Sequence, residues 1–136
     1  MKKSIFVTGA ASGIGKATSL LFGKRGYLVG SYDVDVEGAK AVADEVVRAG
    51  GAATHGRIDV TSGESWSAAA ADFEQRTRDE ASQRDADHAS GRLDVLFNCA
   101  GILRMGRFED VGPDECRKQI DVNIMGVILG IHTFLP

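Results

Sequence analysis

The sequence predicts a three-layer α/β fold in which strands and helices alternate along the chain. Four short apolar stretches with strand character are each followed by a helical pattern, in which apolar residues recur every three or four positions. The first strand pattern breaks into a turn with glycines at positions 9, 13 and 15 immediately before its helix. Alternation of this kind favours a parallel, doubly wound sheet, because each strand and its helix form one βαβ step.

Length and composition fit one soluble domain. The 136 residues are 43% hydrophobic and 26% charged, with a formal net charge of -3. Since nucleic acids and anionic membranes select basic surfaces, neither is an expected partner. The sequence has no apolar run of membrane-spanning length and no signal-peptide core, which favours a cytoplasmic protein. Cys99 and Cys116 lack the spacing of a metal site or a disulfide framework, so we expect free, buried or half-buried thiols and no bound metal.

The turn after the first strand has the composition of a phosphate-binding site. An apolar trio at residues 5–7 is typical of a buried strand, and the glycines that follow let the backbone approach a ligand without a Cβ. A helix that starts within this turn directs unpaired N–H groups and its positive end at the ligand, which suits a pyrophosphate. The candidate residues are Gly9, Ser12, Gly13, Ile14 and Gly15. The alternative is an ordinary glycine turn between a strand and a helix.

The second strand pattern, residues 27–32, ends at the carboxylate of Asp33. Before it, a helix is expected to end near Gly26, with an apolar face formed by Ala17, Leu20, Leu21 and Phe22. In a right-handed βαβ unit the second strand lies beside the first, so its end faces the ligand crevice. Asp33 can accept hydrogen bonds there from both ribose hydroxyls of an adenosine and would repel a 2′-phosphate. The alternative is an aspartate that only ends a strand and caps a turn.

A second acidic residue follows the third strand pattern. Residues 36–49 form an amphipathic helix that Gly50 and Gly51 end, and residues 52–60 contain a short strand. Asp59 and Val60 lie at the end of this strand, where Asp59 can reach the edge of an adenine. An aspartate that only caps the next helix fits the same position equally well.

A helix predicted from Ser65 to about Gln75 leads into a charged segment. Residues 76–90 carry many charged side chains and no large apolar residue. Such a run buries too little surface to pack, so we expect either a solvated helix extension or a mobile surface insertion within the domain. His88, which lies in this run, is expected to be exposed and without a catalytic role.

Small residues follow the fourth strand pattern, which covers residues 93–97. Ala100 and Gly101 leave room for a ribose and a ring to lie against the backbone, and Asn98 can hold a neighbouring strand end by hydrogen bonds. The alternative is a tight turn after a strand, with no ligand.

The last helical pattern spans residues 113–135, with Pro113 at its first position. Apolar residues recur along it at spacings of three and four, and Asn123 lies in the middle of that face. A buried amide must be paired. The side chain of Asn123 can bond the preceding turn of its own helix, hold a water or perturb the helix locally.

Together these motifs resemble the short-chain dehydrogenase/reductase family, whose glycine-rich turn is Thr-Gly-x-x-x-Gly-x-Gly. Residues 8–15 match that pattern at every fixed position, and the resemblance covers essentially the whole chain. It implies a Rossmann-like domain that binds NAD rather than NADP, with Asp33 at the ribose and Asp59–Val60 at the adenine. Residues 98–101 are similar to the family's Asn-Asn-Ala-Gly signature, with Cys99 in place of the second asparagine.

The resemblance also implies a catalytic role for Asn123. An asparagine in this helix of the family positions a water in a proton relay, while a Ser and a Tyr-x-x-x-Lys act on the substrate. Only Tyr27 and Tyr32 are present here, and neither has Lys four residues later. We therefore expect a single partial NAD-binding domain over residues 1–136, truncated after the fifth helix, that has no turnover by itself.

The family resemblance implies hydride transfer between NAD and a small alcohol or ketone. It also implies a homo-oligomer formed through residues 113–135, whose outer side is apolar. The alternative is a non-catalytic dinucleotide-binding or dimerisation module, for which binding without chemistry would suffice.

Overall fold

The computed structural model describes residues 3–82 and 93–135. Within this part of the chain the strands are Ser4–Thr8 (β1), Leu28–Asp33 (β2), Ala52–Arg57 (β3) and Val95–Phe97 (β4). The α-helices are Gly13–Lys24 (α1), Val36–Arg48 (α2), Gly63–Ser82 (α3), Pro113–Ile120 (α4) and Gly126–Phe134 (α5). A 3-10 turn at Phe108–Asp110 precedes α4, and a π-helical turn at Asp121–Met125 joins α4 to α5.

The four strands form one parallel sheet in the order β3-β2-β1-β4. Thr8 pairs with Tyr32, and Tyr32 pairs in turn with Gly56, so the strands end in register. The chain turns back from β3 to the other side of β1, and the crevice at this reversal of strand order is where open α/β sheets bind ligands. The predicted fold class, a Rossmann-like doubly wound parallel sheet, is confirmed.

Alternate residues of the strands fill two cores, one on each face of the sheet. Phe6 and Tyr32 stack with ring centroids 4.4 Å apart, and together with Trp66 and Phe73 of α3 they form the aromatic core on one face. An aliphatic core around Ile5, Val7, Val29 and Val46 lies on the other face, under α1 and α2. Burial of these side chains is the main force that fixes the helices on the sheet.

The buried face of α1 consists of small residues, so its predicted apolar face is wrong in part. Gly15, Ser19 and Gly23 are its buried positions, whereas Leu21 is 46% exposed. The reason is a close approach to α2: a Cβ on Gly23 would lie 2.5 Å from Cγ1 of Val46. Leu20 and Phe22, also on the predicted face, are half-buried against the edge of the aliphatic core.

Glycine also replaces the predicted apolar stripe where the last helical segment meets the rest of the domain. Gly126 and Gly130 are the buried residues of α5. A Cβ would lie 2.9 Å from Cγ2 of Val60 at the first position and 2.6 Å from Cη2 of Trp66 at the second. The apolar side chains at Ile120, Ile124, Met125, Ile128, Ile131 and Leu135 are therefore left exposed.

Helix α3 runs past the predicted end at Gln75 and continues to Ser82. The first part of the charged segment is thus a solvated helix extension, held by ion pairs such as Arg76–Asp72 at 2.9 Å. Residues 83–90, which include His88, lie outside the described residues. None of the helices in the described ranges combines the length and hydrophobicity that a membrane span requires.

Candidate cofactor cleft

A cleft of about 410 Å³ opens at the carboxyl ends of β1, β2 and β4. Its walls are Gly9, Ser12, Gly13, Ile14, Gly15, Asp33, Val34, Ile58, Asp59, Val60, Cys99, Ala100, Gly101, Ile102 and Val122. Ten of the residues predicted for cofactor binding are therefore brought together, and their function stays a prediction. Asn98 and Asn123, which were also predicted, are not part of this lining.

The glycine turn can exist only because its residues lack side chains at the points of contact. Gly9 and Gly13 have φ angles of +66° and +52°, which L side chains rarely adopt. A Cβ on Gly9 would lie 2.8 Å from Cα of Ala100, and one on Gly15 would overlap the carbonyl oxygen of Gly9. The turn therefore packs directly on the other wall of the cleft.

The amino-terminal end of α1 faces the same cleft. The N-cap residue Ser12 has extended backbone and makes no side-chain capping bond, and the first turn of α1 carries no acidic residue. Unpaired N–H groups and the positive end of the helix dipole favour an anion at this position. The chemistry of the glycine turn and the start of α1 fits a pyrophosphate.

The carboxylate of Asp33 braces the glycine turn. Its Oδ2 accepts a hydrogen bond from Ala11 N at 3.0 Å, and its Oδ1 accepts one from Asp35 N at 3.0 Å. The alternative that Asp33 caps a turn therefore describes part of what it does. Each carboxylate oxygen retains a lone pair for a further donor, and the side chain that follows, Val34, is exposed and uncharged.

Asp59 likewise combines a capping role with a place in the cleft wall. Its Oδ1 accepts hydrogen bonds from Thr61 N at 3.0 Å and Thr61 Oγ1 at 2.7 Å. These hydrogen bonds hold the pKa of the Asp59 carboxyl below its usual value, and the bond from the Thr61 hydroxyl has the larger effect. The neighbouring carbonyl of Val60 accepts a hydrogen bond from Trp66 Nε1 at 3.0 Å, which fixes this wall to the aromatic core.

Thr8, not Asn98, ties the end of β1 to the segment after β4. Its buried Oγ1 accepts hydrogen bonds from Cys99 N at 3.0 Å and Ala100 N at 3.1 Å. The Oδ1 of Asn98 is buried and has no hydrogen-bond partner within the described ranges. It lies near α5, 2.7 Å from where a Cβ on Gly130 would be, so this oxygen holds no strand end, and the predicted role of the Asn98 side chain stays a prediction.

Both cysteines are free and half-buried, as predicted. Cys99 lines the cleft, whereas Cys116 lies outside it beside Val111. Burial raises the pKa of the Cys99 thiol, and a hydrogen bond with the backbone of Gly15 offsets part of that effect. The thiol at this signature position thus contacts the start of α1.

Asn123 lies in the π-helical turn and binds the backbone of the cleft wall, but it is exposed, so the expectation of a buried amide is wrong. Its Oδ1 accepts a hydrogen bond from Ile102 N at 2.9 Å, and its Nδ2 donates one to Ile102 O at 2.8 Å. The expected local perturbation of the helix is present, since α4 and α5 are separated by this turn. The side chain is occupied by the wall, so it does not bond back to its own helix.

Sequence reasoning missed four wall residues and the residue that joins the walls. The four wall residues have apolar side chains, which carry no polar group that would indicate a ligand site in the sequence. They are Val34, Ile58, Ile102 and Val122. Thr8 was visible as the first fixed position of the glycine motif, and Ile102 directly follows the small-residue signature. No cluster of metal-ligating side chains occurs in the part of the chain that the structure describes.

Comparisons with known proteins agree with this geometry. A family model described as short chain dehydrogenase matches residues 3–136. The chain is 36% identical to the 2,5-dichloro-2,5-cyclohexadiene-1,4-diol dehydrogenase LinX of Sphingobium indicum over 134 residues, 98% of this chain and 48% of that protein. It is 34% identical to the cyclohexanol dehydrogenase of Acinetobacter sp. (strain SE19) over 135 residues, 98% of this chain and 49% of that protein.

A solved structure shows the same fold. The crystal structure of a metagenomic short-chain oxidoreductase in complex with NADP matches with a TM-score of 0.79 and 32% identity. The match covers 97% of this chain and 54% of that one. The chain thus spans about half the length of the curated relatives and of the solved structure that it matches.

Proposed function

The chain belongs to the short-chain dehydrogenase family, and we propose that it forms the NAD-binding half of an oxidoreductase. The parent reaction is hydride transfer between NAD and a small alcohol or carbonyl compound. The observation that carries this proposal is the meeting, in one cleft, of the glycine turn, the carboxylate of Asp33 and the small residues 99–101. NAD supplies the hydride chemistry when bound, and these residues would hold it.

The glycine turn would bind the pyrophosphate. Backbone N–H groups at the start of α1 provide donors, and Gly9 and Gly15 leave no Cβ between the backbone and the phosphate oxygens. Ser12 and Ile14 sit beside them on the same wall. The site needs no basic side chain, because the fixed N–H dipoles already favour the anion.

Asp33 would select NAD over NADP. Its carboxylate, oriented by two backbone N–H groups, has lone pairs left for the ribose hydroxyls. A 2′-phosphate would meet this negative charge, and Val34 beside it offers no compensating cation. Asp59 and Val60 would border the adenine. The NADP in the metagenomic structure is a ligand of that protein, so selectivity in this chain must be measured.

The nicotinamide end would lie toward Ala100 and Gly101. Asn123 behind this wall is the proposed relay residue, although its side chain is already bound to Ile102. The buried Tyr32 hydroxyl donates a hydrogen bond to Oδ2 of Asp72 at 2.7 Å. Its pKa lies far above the usual value, mainly because the hydroxyl is buried and also because of this hydrogen bond. Since proton transfer requires an acid of lowered pKa, we propose that residues 1–136 alone have no dehydrogenase turnover.

Two further parts of the proposal concern the substrate and the assembly. The two relatives are named as dehydrogenases of cyclic alcohols, and these names favour a small cyclic alcohol or ketone as the substrate. They do not favour the alternative of a non-catalytic module. The exposed apolar residues of α4, the π-helical turn and α5 would contact a second copy of the chain.

Calorimetric titration of the chain with NAD and with NADP tests the cofactor assignment. We expect NAD to bind more tightly than NADP, and the Val34→Arg variant to narrow that difference by adding a cation beside the 2′ position. A Lys118→Ala variant, altered at an exposed site outside the cleft, should match the unmodified chain. Equal affinities for the two cofactors would contradict the role of Asp33, and binding of neither would contradict the whole proposal.

A further inference from the structure

The segment from Gly101 to Met105 is neither helix nor strand, yet its backbone is held by a row of helical side chains. Asn123 binds both backbone groups of Ile102, and Oε1 of Gln119 accepts a hydrogen bond from Arg104 N at 2.9 Å. The guanidinium of Arg104 reaches Oε2 of Glu115 with its Nε at 3.3 Å. Three side chains spaced four residues apart along one helical stretch therefore contact two residues of the segment.

This spacing has a geometric reason. Four residues of a helix rise by about 6 Å, and every second residue of an extended chain repeats after about 6.6 Å. A helical row at positions i and i+4 can therefore match alternate residues of an extended segment that runs in the opposite direction. Ile102 pairs with Asn123 and Arg104 with Gln119 in that order, so the two amides act as a substitute for a neighbouring strand.

The row fixes the orientation of the cleft wall. Ile102 is half-buried and lines the cleft, while the intervening Leu103 is 73% exposed. Gly101 fits against the row because a Cβ there would already lie 3.3 Å from Oδ1 of Asn123. Rotation or fraying of the segment at Arg104 would displace Ile102 and Gly101, and with them the wall opposite the glycine turn.

The contributions along the row are unequal. Asn123 satisfies two backbone groups and Gln119 one, and both act on backbone that has no other partner in a sheet or helix. The Arg104–Glu115 pair has side chains that are 67% and 49% exposed, and exposed ion pairs contribute little. Asn123 therefore fixes the backbone at Ile102, and Gln119 extends this backbone hydrogen bonding to Arg104.

We propose that Gln119 is a positioning residue for the cofactor cleft. It acts through the Arg104 amide, holds residues 101–104 against the helix, and thereby keeps the wall at Gly101 and Ile102 in place for the nicotinamide half of the cofactor. The inference rests on the proposed function as far as the ligand is concerned. The hydrogen bond from Arg104 N to Gln119 itself does not depend on any ligand.

The test compares Gln119→Ala with Gln119→Glu, whose carboxylate can still accept the bond from Arg104 N. Amide hydrogen exchange, followed by NMR without cofactor, should be faster at Arg104 in Gln119→Ala by roughly fivefold or more, because one hydrogen bond is lost. Gln119→Glu should keep the slow exchange. Lys118→Ala, one position earlier on the exposed side of α4, is the matched control and should leave Arg104 unchanged.

Calorimetry with NAD then tests the positioning role. Gln119→Ala should bind NAD roughly fivefold more weakly, and Gln119→Glu should restore the affinity. Unchanged exchange at Arg104 in Gln119→Ala would overturn the inference, whatever the affinity. Faster exchange with unchanged NAD affinity would also overturn it, since the hold would then be local. If the unmodified chain bound no NAD, the proposed function would fail and the role in the cofactor cleft with it, while the exchange data would still decide whether the hold exists.

Discussion

The two walls of the cleft are built in different ways. The glycine turn is a wall of backbone, in which Gly9 and Gly15 touch other main-chain atoms and no side chain lies between. The opposite wall, residues 99–102, and its continuation to Arg104 are held by side chains that reach them from elsewhere: Thr8, Gln119 and Asn123. The first wall is fixed mainly by close backbone packing, braced by the hydrogen bond from Ala11 N to Asp33, and the second mainly by hydrogen bonds from side chains. The two should therefore respond differently to substitution.

The same contrast extends to the layers behind the walls. β1 and β2, behind the glycine turn, are covered on both faces, and Phe6 and Val29 are fully buried. β4 and the segment from α4 to α5 are only partly covered, and Ile124 is 53% exposed. The side of the cleft proposed to bind the adenosine is thus supported by its own core, while the side proposed to bind the nicotinamide depends more on polar contacts.

The largest effect is expected at the glycine wall, from Gly15→Ala. The new Cβ would overlap the carbonyl oxygen of Gly9, and backbone on both sides would have to move. We expect the free energy of unfolding to fall by about 3 kcal/mol, and NAD binding to be lost in calorimetry. Gly63→Ala is the control, because a Cβ there meets nothing closer than 4.0 Å. Retained NAD affinity in Gly15→Ala would refute the steric account of this wall.

An intermediate effect is expected at the hydrogen-bonded wall, from Asn123→Ala. This change removes both hydrogen bonds that the side chain makes with the N–H and the carbonyl of Ile102. Urea denaturation should show a loss of about 1–2 kcal/mol in the free energy of unfolding. Amide exchange at Ile102 should also accelerate. A variant as stable as the parent chain, with slow exchange at Ile102, would mean that the wall does not depend on this amide.

A smaller, pH-dependent effect is expected from Asp59, next to the covered core. Its pKa is lowered in the folded chain, so its stabilising effect is present above the unfolded pKa and is lost as the pH falls through the folded pKa. In Asp59→Asn this part of the acid dependence should disappear. Urea midpoints measured at about pH 6 and about pH 3 should therefore differ more for the parent chain than for the variant. Equal differences would show that the bonds from Thr61 carry no such effect.

The smallest effect on stability is expected on the partly covered segment from α4 to α5, from Ile124→Gln. Because this side chain is already half in water, the free energy of unfolding should change by less than about 0.5 kcal/mol. Val29→Ala in the covered half should instead cost about 2 kcal/mol. Sedimentation sharpens the comparison, since Ile124→Gln should weaken self-association if this face contacts a second copy. A large loss of stability without any change in sedimentation would mean that the face is covered within one chain.

The sequence was sufficient to predict the elements that depend on local pattern. The alternation of strands and helices, the glycine turn and the end of β2 at Asp33 all follow from residue type and spacing, because buried strands, positive φ angles and strand ends leave local signals. The cleft followed from these elements, since parallel strands bring their carboxyl ends together.

The sequence was not sufficient where close packing decides. The buried face of α1 is Gly15, Ser19 and Gly23, because the short distance to α2 excludes the leucines that hydrophobicity favours. The Oδ1 of Asn98 lies near α5 without a hydrogen-bond partner in the described residues, and Gln119 binds a segment distant in sequence. A polar side chain on a helix gives no periodic signal of its partner.

Alkylation of the two cysteines tests the central claim, that the cleft binds the dinucleotide, most directly. Cys99 lines the cleft and Cys116 lies outside it, and both are free and half-buried. Iodoacetamide labelling at about pH 8, followed by mass spectrometry, should slow strongly at Cys99 when NAD is added and stay unchanged at Cys116. An unchanged rate at Cys99 with saturating NAD, or an equal slowing at both cysteines, would contradict the claim.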